Sequence, residues 1–347
     1  MKILYGVQGT GNGHTTRARI MAKAFAKVGA EVDWVFSGRK RNDYFDMEIF
    51  GNFQSYQGLT FATEQGKIHY LKTLLSSNFS QLYQDIKHIN VEGYDFIVND
   101  FEPVTAWAAR RSGKKVIGLS HQNAFLYDIP KAGSNIFVNW FMHNFAPVTT
   151  PIGLHWHHFD QPILPPLVEH FHYRNCATEK HYLVYLPFSN PKDIEPQLRE
   201  FPEYDFYIYQ AVPAAYDDEN IHVRPFSRNN FQEDLHRCEG VICSAGFELP
   251  SEAIHLGKKV LVQPVEGQME QKSNALALKQ LGLGYSTDHF DMNTLSEWLR
   301  TKPPITPRNY PDVAKALVDW LLAGGGDIKN LQQALWEETQ DLQLKPA

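Results

Sequence analysis

Short apolar runs alternate along this chain with stretches whose apolar positions recur three and four residues apart, the pattern of buried strands alternating with amphipathic helices. Ile3 to Val7 reads as a first buried strand, after which the chain breaks into QGTGNGHTTRARIMAKAFAKVG. Gly9, Gly11 and Gly13 make that loop flexible, Thr15 or Thr16 is placed to cap a helix, and Gly29 ends the helix before a strand from Glu31 to Phe36. This is a βαβ opening. The stretch from Lys67 to Ile89, with Leu71, Leu74, Leu75, Phe79, Leu82 and Ile86 near helical spacing, predicts an amphipathic packing helix. Strands are expected at Phe96 to Val98, ending at Asn99-Asp100, at Lys115 to Leu119, closing at Ser120-His121-Gln122, and from Thr149 to His155. A helix from Glu102-Pro103 through Arg110 lies between the first two.

The segment Asn135 to Phe145 is unusually aromatic. Its length suits one buried helix of the first half, and an apolar wall facing an acceptor or a bilayer is the competing reading. Gln161 to Pro166 is stiffened by three prolines and reads as a linker. Beyond it the rhythm repeats, with strands at His181 to Leu186, Asp205 to Tyr209, Ile221 to Val223, Val241 to Cys243 and Lys259 to Val262. Helices are expected at Phe231 to Arg237, from about Phe247, at Gln268 to Gln280 and at Arg308 to Leu322. The alternation predicts an α/β protein with parallel sheets, divided into 1–160, 167–305 and terminal helices over 306–347.

Composition narrows the function. A chain of 347 residues exceeds the usual size of one hydrophobic core, which supports two domains. The formal net charge of -6 argues against a nucleic-acid binder that relies on a broad basic field. Arg39-Lys40-Arg41 is a local basic cluster, read as a solvated loop, with attraction of an anionic acceptor or a membrane surface as the functional alternative. Cys176, Cys238 and Cys243 lack metal spacing and suit reduced, structural thiols. No apolar run reaches the roughly 18 residues of a membrane span and Met1 leads at once into a strand, so a cytoplasmic, at most peripheral, protein is expected. His155, His157 and His158 invite a metal reading, but no carboxylate or cysteine completes a ligand motif around them, which leaves packing or hydrogen bonding. Neither a metal nor a cofactor is expected.

The chemistry concentrates between Cys243 and Gly284, CSAGFELPSEAIHLGKKVLVQPVEGQMEQKSNALALKQLGLG. A buried strand turns at Ser244-Ala245-Gly246 into a helix, where Gly246 lets the backbone approach an anion and the first amides of the helix, from Phe247, point at it unpaired. Glu252, nearly two turns on, is a carboxylate able to accept from ribose hydroxyls. A polar loop then delivers Glu270, Gln271 and Asn274. The plainer reading is an ordinary αβα segment whose Gly and Gln are turn and surface residues.

This pattern resembles the donor half of GT-B glycosyltransferases, especially the lipid-linked N-acetylglucosaminyltransferase of peptidoglycan synthesis and the UDP-glycosyltransferases. The glycine loop with His14 and Arg17 resembles the GxGHxxR opening of a GT-B family; as a dinucleotide fingerprint it fits less well, because Glu31 or Asp33 would have to serve as the ribose acid. The resemblance implies two Rossmann-like domains facing a cleft, with terminal helices crossing back to the first. It implies that Gly246, Glu252, Glu270, Gln271 and Asn274 hold the nucleotide sugar, that Ser189 and Phe226 frame its diphosphate and base, and that Gly11, Gly13, Ser244 and Phe247 line the same site. His14 and Asp100 take the places of a catalytic base and the acid that orients it; the alternative is that His14 lines the glycine loop as a phosphate ligand, with Asp100 a helix cap. Arg17 and His121 fall on the acceptor side. The partners implied are a nucleotide sugar, uridine-linked by analogy, and an acceptor that is a glycan, a lipid-linked sugar or a small molecule. A nucleotide-sugar 2-epimerase and a non-catalytic nucleotide-sugar binder share the architecture and remain the alternatives.

Overall fold

The computed structural model describes residues 1–59, 63–64, 67–68, 78–170, 180–301 and 308–341. The first sheet is built on β1 (Lys2–Gln8), which is buried beyond its first residue, as a strand covered by helices on both faces must be. Its other strands are β2 (Glu31–Ser37), β3 (Gln54–Tyr56), β6 (Phe96–Asp100), β7 (Ile117–Ser120), β8 (Thr150–Leu154) and β9 (Ile163–Leu164), with a small hairpin β4 (Thr63–Glu64) and β5 (Lys67–Ile68) outside it. The seven strands run in the order β3-β2-β1-β6-β7-β8-β9. All the pairings are parallel.

The first half carries helices α1 (Asn12–Lys27), α2 (Phe79–His88), α3 (Pro103–Arg111), α4 (His121–Ala124) and α5 (Ile136–Phe145). Helix α1 starts earlier than expected. Its cap is Gly11 and Thr15 lies inside it, buried, so neither Thr15 nor Thr16 caps. Of the amphipathic stretch Lys67 to Ile89, α2 is helical and Lys67–Ile68 is strand, while Leu71, Leu74 and Leu75 lie outside the described residues. The expected linker is partly structural, since Ile163–Leu164 pairs in register with Gly153 and Leu154 at the sheet edge. Helix α5 is only half a core helix. Val138, Phe141, Met142 and Phe145 turn inward, whereas Ile136, Phe137 and Trp140 are exposed.

The second sheet repeats the plan with β10 (His181–Tyr185), β11 (Asp205–Tyr209), β12 (Tyr216–Asp218), β13 (Ile221–Arg224), β14 (Gly240–Ser244), β15 (Lys259–Gln263) and β16 (Tyr285–Ser286). The order is β12-β13-β11-β10-β14-β15-β16, and only β12 is antiparallel. Its helices are α6 (Pro191–Arg199), α7 (Arg228–Arg237), α8 (Glu248–His255), α9 (Met269–Gln280) and α10 (Met292–Arg300). A short pair β17 (Arg308–Asn309) and β18 (Gln340–Asp341) brackets α11 (Val313–Leu322) and α12 (Lys329–Glu338).

The two halves are packed together. Helix α11 lies against α1, and α12 against β9. One apolar cluster runs from Tyr5, Met21 and Phe25 through Trp156 to Phe247 and Ala253, and on to Val313 and Leu317. Burial of that continuous surface, at roughly 25 cal/mol per Å² of apolar area, is what holds the terminal helices across both halves. No helix among the described residues is long and apolar enough to cross a membrane.

Candidate active site

In both sheets the strand order reverses beside the first strand, between β1 and β6 in one and between β10 and β14 in the other. Crevices at such reversals, outside the carboxyl ends of the strands, are where open α/β sheets take ligands. The sequence candidates fall there. His14 follows β1 and Asp100 ends β6; Ser189 follows β10, Ser244 ends β14 and Gly246 follows it.

Because α1 begins at Asn12, His14 and Arg17 sit three apart on one helical face. Nδ1 of His14 lies 2.7 Å from Oδ1 of Asp100. Arg17 donates through Nε to Oδ2 of Asp100 at 2.9 Å and through Nη2 to Oδ1 at 2.7 Å. Burial alone would raise the Asp100 carboxyl, but the charges of Arg17 and His14 outweigh it and hold it below its ordinary value. An ionised carboxylate only accepts, so the Asp100 contact favours a proton on Nδ1 of His14 with the Nε2 lone pair free, whereas Nη2 of Arg17, 2.9 Å from the same Nδ1, would donate to it in the other tautomer. Asp100 is free for this because it does not cap α3. Glu102 does, accepting from the amides of Val104 at 2.6 Å and Thr105 at 2.7 Å, and from the hydroxyls of Ser37 and Thr105. Arg17, expected on the acceptor side, is buried and spends its guanidinium on Asp100 and on Glu248 from the second half.

Glu248 is a residue the sequence reading missed. It stands in the first turn of α8, four residues before Glu252 and so on the same face, which is the signal that was available. Its carboxylate also occupies the space where a side chain on Gly13 would begin, so Gly13 serves a close approach between the two halves. A second tie is Glu169, which pairs with Lys23 of α1 and with Arg228 in the first turn of α7.

On the donor side, Phe247 is the cap of α8, with no side-chain bond to the first turn, and a Cβ on Gly246 would meet open space. Glu252 is partly buried and accepts from Nε2 of Gln232 at 3.0 Å. Burial pushes its carboxyl up to about 7, with the Gln232 bond pulling the other way. Phe226 is half exposed at the end of β13, its ring 6.2 Å from that of Tyr185. Ser227 behind it caps α7.

Several other candidates bond across the two halves. His121 is fully buried, stacked on Phe247 with ring centroids 3.9 Å apart. Its Nδ1 lies 2.8 Å from the Leu154 carbonyl and its Nε2 lies 2.8 Å from Oδ1 of Asn274. Both of its ring nitrogens are engaged in the structure, and its ring covers that of Phe247. Burial keeps the imidazole below its ordinary value and hence neutral. Asn274 in turn donates to the Ala245 carbonyl at 3.0 Å, tying α9 to the glycine turn. Gln271 accepts from the Val265 amide at 2.9 Å and braces its own loop. Glu270 accepts from Gln122 of the first half at 3.0 Å. Of the three residues expected on the donor, Glu270 and Asn274 thus bond to the first half and Gln271 to its own loop.

His155, His157 and His158 each accept a nearby backbone amide through Nδ1, from Trp156, Phe159 and Asp160. Among the described residues no group of three potential ligands is placed to hold a metal ion. Cys238 and Cys243 are free and buried, and Cys176 lies outside the described residues.

Two parallel-sheet halves meeting with their switch points across one cleft define the GT-B glycosyltransferase class, and solved structures of that class superpose on the whole chain. The glycotransferase of kitacinnamycin matches at TM-score 0.59 and 14% identity over 98% of this chain and 99% of its own. MurG of Acinetobacter baumannii matches at TM-score 0.53 and 14% identity over 97% and 99%. LpCGTa, solved in complex with UDP, matches at TM-score 0.59 and 14% identity over 96% and 98%. A comparison with curated proteins finds no match. The model of glycosyl transferase family 1 matches residues 1–133 and 159–303, and the chain belongs to that family. It is a glycosyltransferase.

Proposed function

We propose that this glycosyltransferase moves a hexose from a nucleotide sugar, held by the second half, to an acceptor hydroxyl presented at the first, with inversion at the anomeric carbon. The observation that carries this reading is the His14–Asp100 contact of 2.7 Å at the first switch point, joined through Arg17 to Glu248 of the other half. An imidazole with its Nδ1 proton fixed on a carboxylate has Nε2 ready to take the acceptor proton, and Asp100 offsets the charge that then forms on the ring. As the acceptor oxygen attacks, the bond from the anomeric carbon to the diphosphate breaks, and the electron pair leaves on the nucleoside diphosphate. The amides at the start of α8 and the dipole of that helix can carry the departing charge without a metal ion.

Uridine diphosphate is the donor nucleotide we favour, supported by the fold shared with a protein solved with UDP; another of the same fold was solved with thymidine diphosphate. Gly246 and Glu252 meet the diphosphate and ribose, and Phe226 flanks the base. The test is incubation with labelled UDP- and TDP-hexoses. Transfer or slow hydrolysis supports the reading. An epimerised sugar with no acceptor consumed, or binding without turnover, overturns it in favour of an epimerase or a sensor.

A further inference from the structure

Within the first half alone, the groups around His14 carry no net charge to offset a proton on its ring. Arg17 grips both oxygens of Asp100, and both side chains are buried, at 2% and 0% exposure. Together they make a neutral pair. A proton taken up by His14, itself only 12% exposed, would then be an uncompensated positive charge in a poorly solvated place. Two ionisable groups of the first half that feel this pair supply no charge, and Glu270 of α9 acts on the second of them, His121, from across the cleft. Tyr5 on β1 is pushed up by burial, and His121 on α4 is pushed down by it, so both are neutral. The missing negative charge comes from the second half, where Glu248 on α8 takes the remaining end of the Arg17 guanidinium.

We infer that Glu248 is a positioning residue for proton transfer: closure of the two halves seats its carboxylate on Arg17, and the site around His14 then has the net negative charge that proton uptake requires. With Glu248 seated, the four groups carry one net negative charge before His14 is protonated and none after. With it withdrawn, they carry none before and one net positive charge after. The base is therefore armed only when the donor half has closed on the acceptor half. Such coupling disfavours proton removal in the open form, where water reaches the donor. Gly13 is what allows the carboxylate to arrive, since a side chain there would occupy its place.

The inference rests on the reading of His14 as the base for its consequence, but its physical core can be tested without any substrate. The His14 ring resonance, assigned by its loss in His14→Ala, is titrated by NMR in the full chain. In Glu248→Gln, which keeps an oxygen for Arg17 and removes the charge, proton affinity of His14 should fall about tenfold or more. Glu248→Asp should stay near the wild type. Gly13→Ala, which displaces the same carboxylate, should shift the titration in the same direction as Glu248→Gln. A merely structural contact would lower the melting temperature in these variants without moving the His14 titration, and that result overturns the inference. Loss of the base reading looks different: turnover would survive in His14→Ala while the Glu248→Gln shift remained.

Discussion

The His14 ring nitrogen Nδ1 and the Asp100 carboxylate, 86 residues apart in the chain, stand 2.7 Å from each other where β1 and β6 run side by side. Glu102 caps α3, its carboxylate accepting from four donors, which leaves Asp100 free to point across the switch point. Replacing His14 by Ala should lower turnover by about two to four orders of magnitude while donor affinity is nearly kept. Single-turnover kinetics and calorimetry with the nucleoside diphosphate measure the two separately. Collapse of donor affinity with turnover surviving at saturation would instead make His14 a phosphate ligand.

Asp100→Asn removes the carboxylate but keeps its shape. An amide can turn its NH2 toward Nδ1, which moves the ring proton to Nε2 and silences the base, so turnover should fall by roughly 10³–10⁴. Arg17 is left buried with half its counter-charge, at a stability cost of about 3–5 kcal/mol by analogy with broken buried pairs. The sign of the pH dependence follows from the lowered Asp100 carboxyl. Its contribution to stability is present above the ordinary carboxylate value of about 4 and is lost as pH falls further. Thermal unfolding of the wild type from pH 6 downward should show that loss, and the variant should show less of it.

Glu252 behaves in the opposite sense, because burial lifts its carboxyl to about 7. A raised carboxyl contributes stability in full below its unfolded value, near 4.5, and loses it as pH rises through about 7. Between pH 5 and 8 the protein without donor should lose on the order of 1–2 kcal/mol from this group, after allowance for its partial exposure. Glu252→Gln should flatten that slope. In donor binding, Glu252→Ala should cost ~1.5–3 kcal/mol if the carboxylate holds the ribose, read by calorimetry. Unchanged affinity in a folded variant would reduce Glu252 to a partner of Gln232.

The α/β rhythm and its strands were legible because fully buried parallel strands read as apolar runs, and the glycine loop and glycine turn were legible because each follows such a run directly. The register was not. Gly11 capping α1, with Thr15 inside it, reflects a helix extended by its packing, which local capping preferences do not report. Nor could the sequence show which polar groups face the cleft and which are spent across it. His121 and Asn274 belong to different halves, and only the assembled fold reveals that they bond to each other. Glu248 was hidden for the same reason, since its partner Arg17 lies 231 residues away.

Gly13→Ala is the mildest substitution that probes closure. Ala is favoured over Gly in a helix by roughly 0.5–1 kcal/mol, so α1 by itself should be stabilised. The added methyl, however, enters the space held by the Glu248 carboxylate, which must shift from where it now meets Arg17. Small-angle scattering without donor should therefore show a more open average shape than the wild type, and turnover should fall at least tenfold with the donor still bound by the second half. A variant that stays closed and fully active would mean that the carboxylate has room to shift while keeping Arg17, and that contact between Glu248 and Gly13 does not govern how the two halves meet.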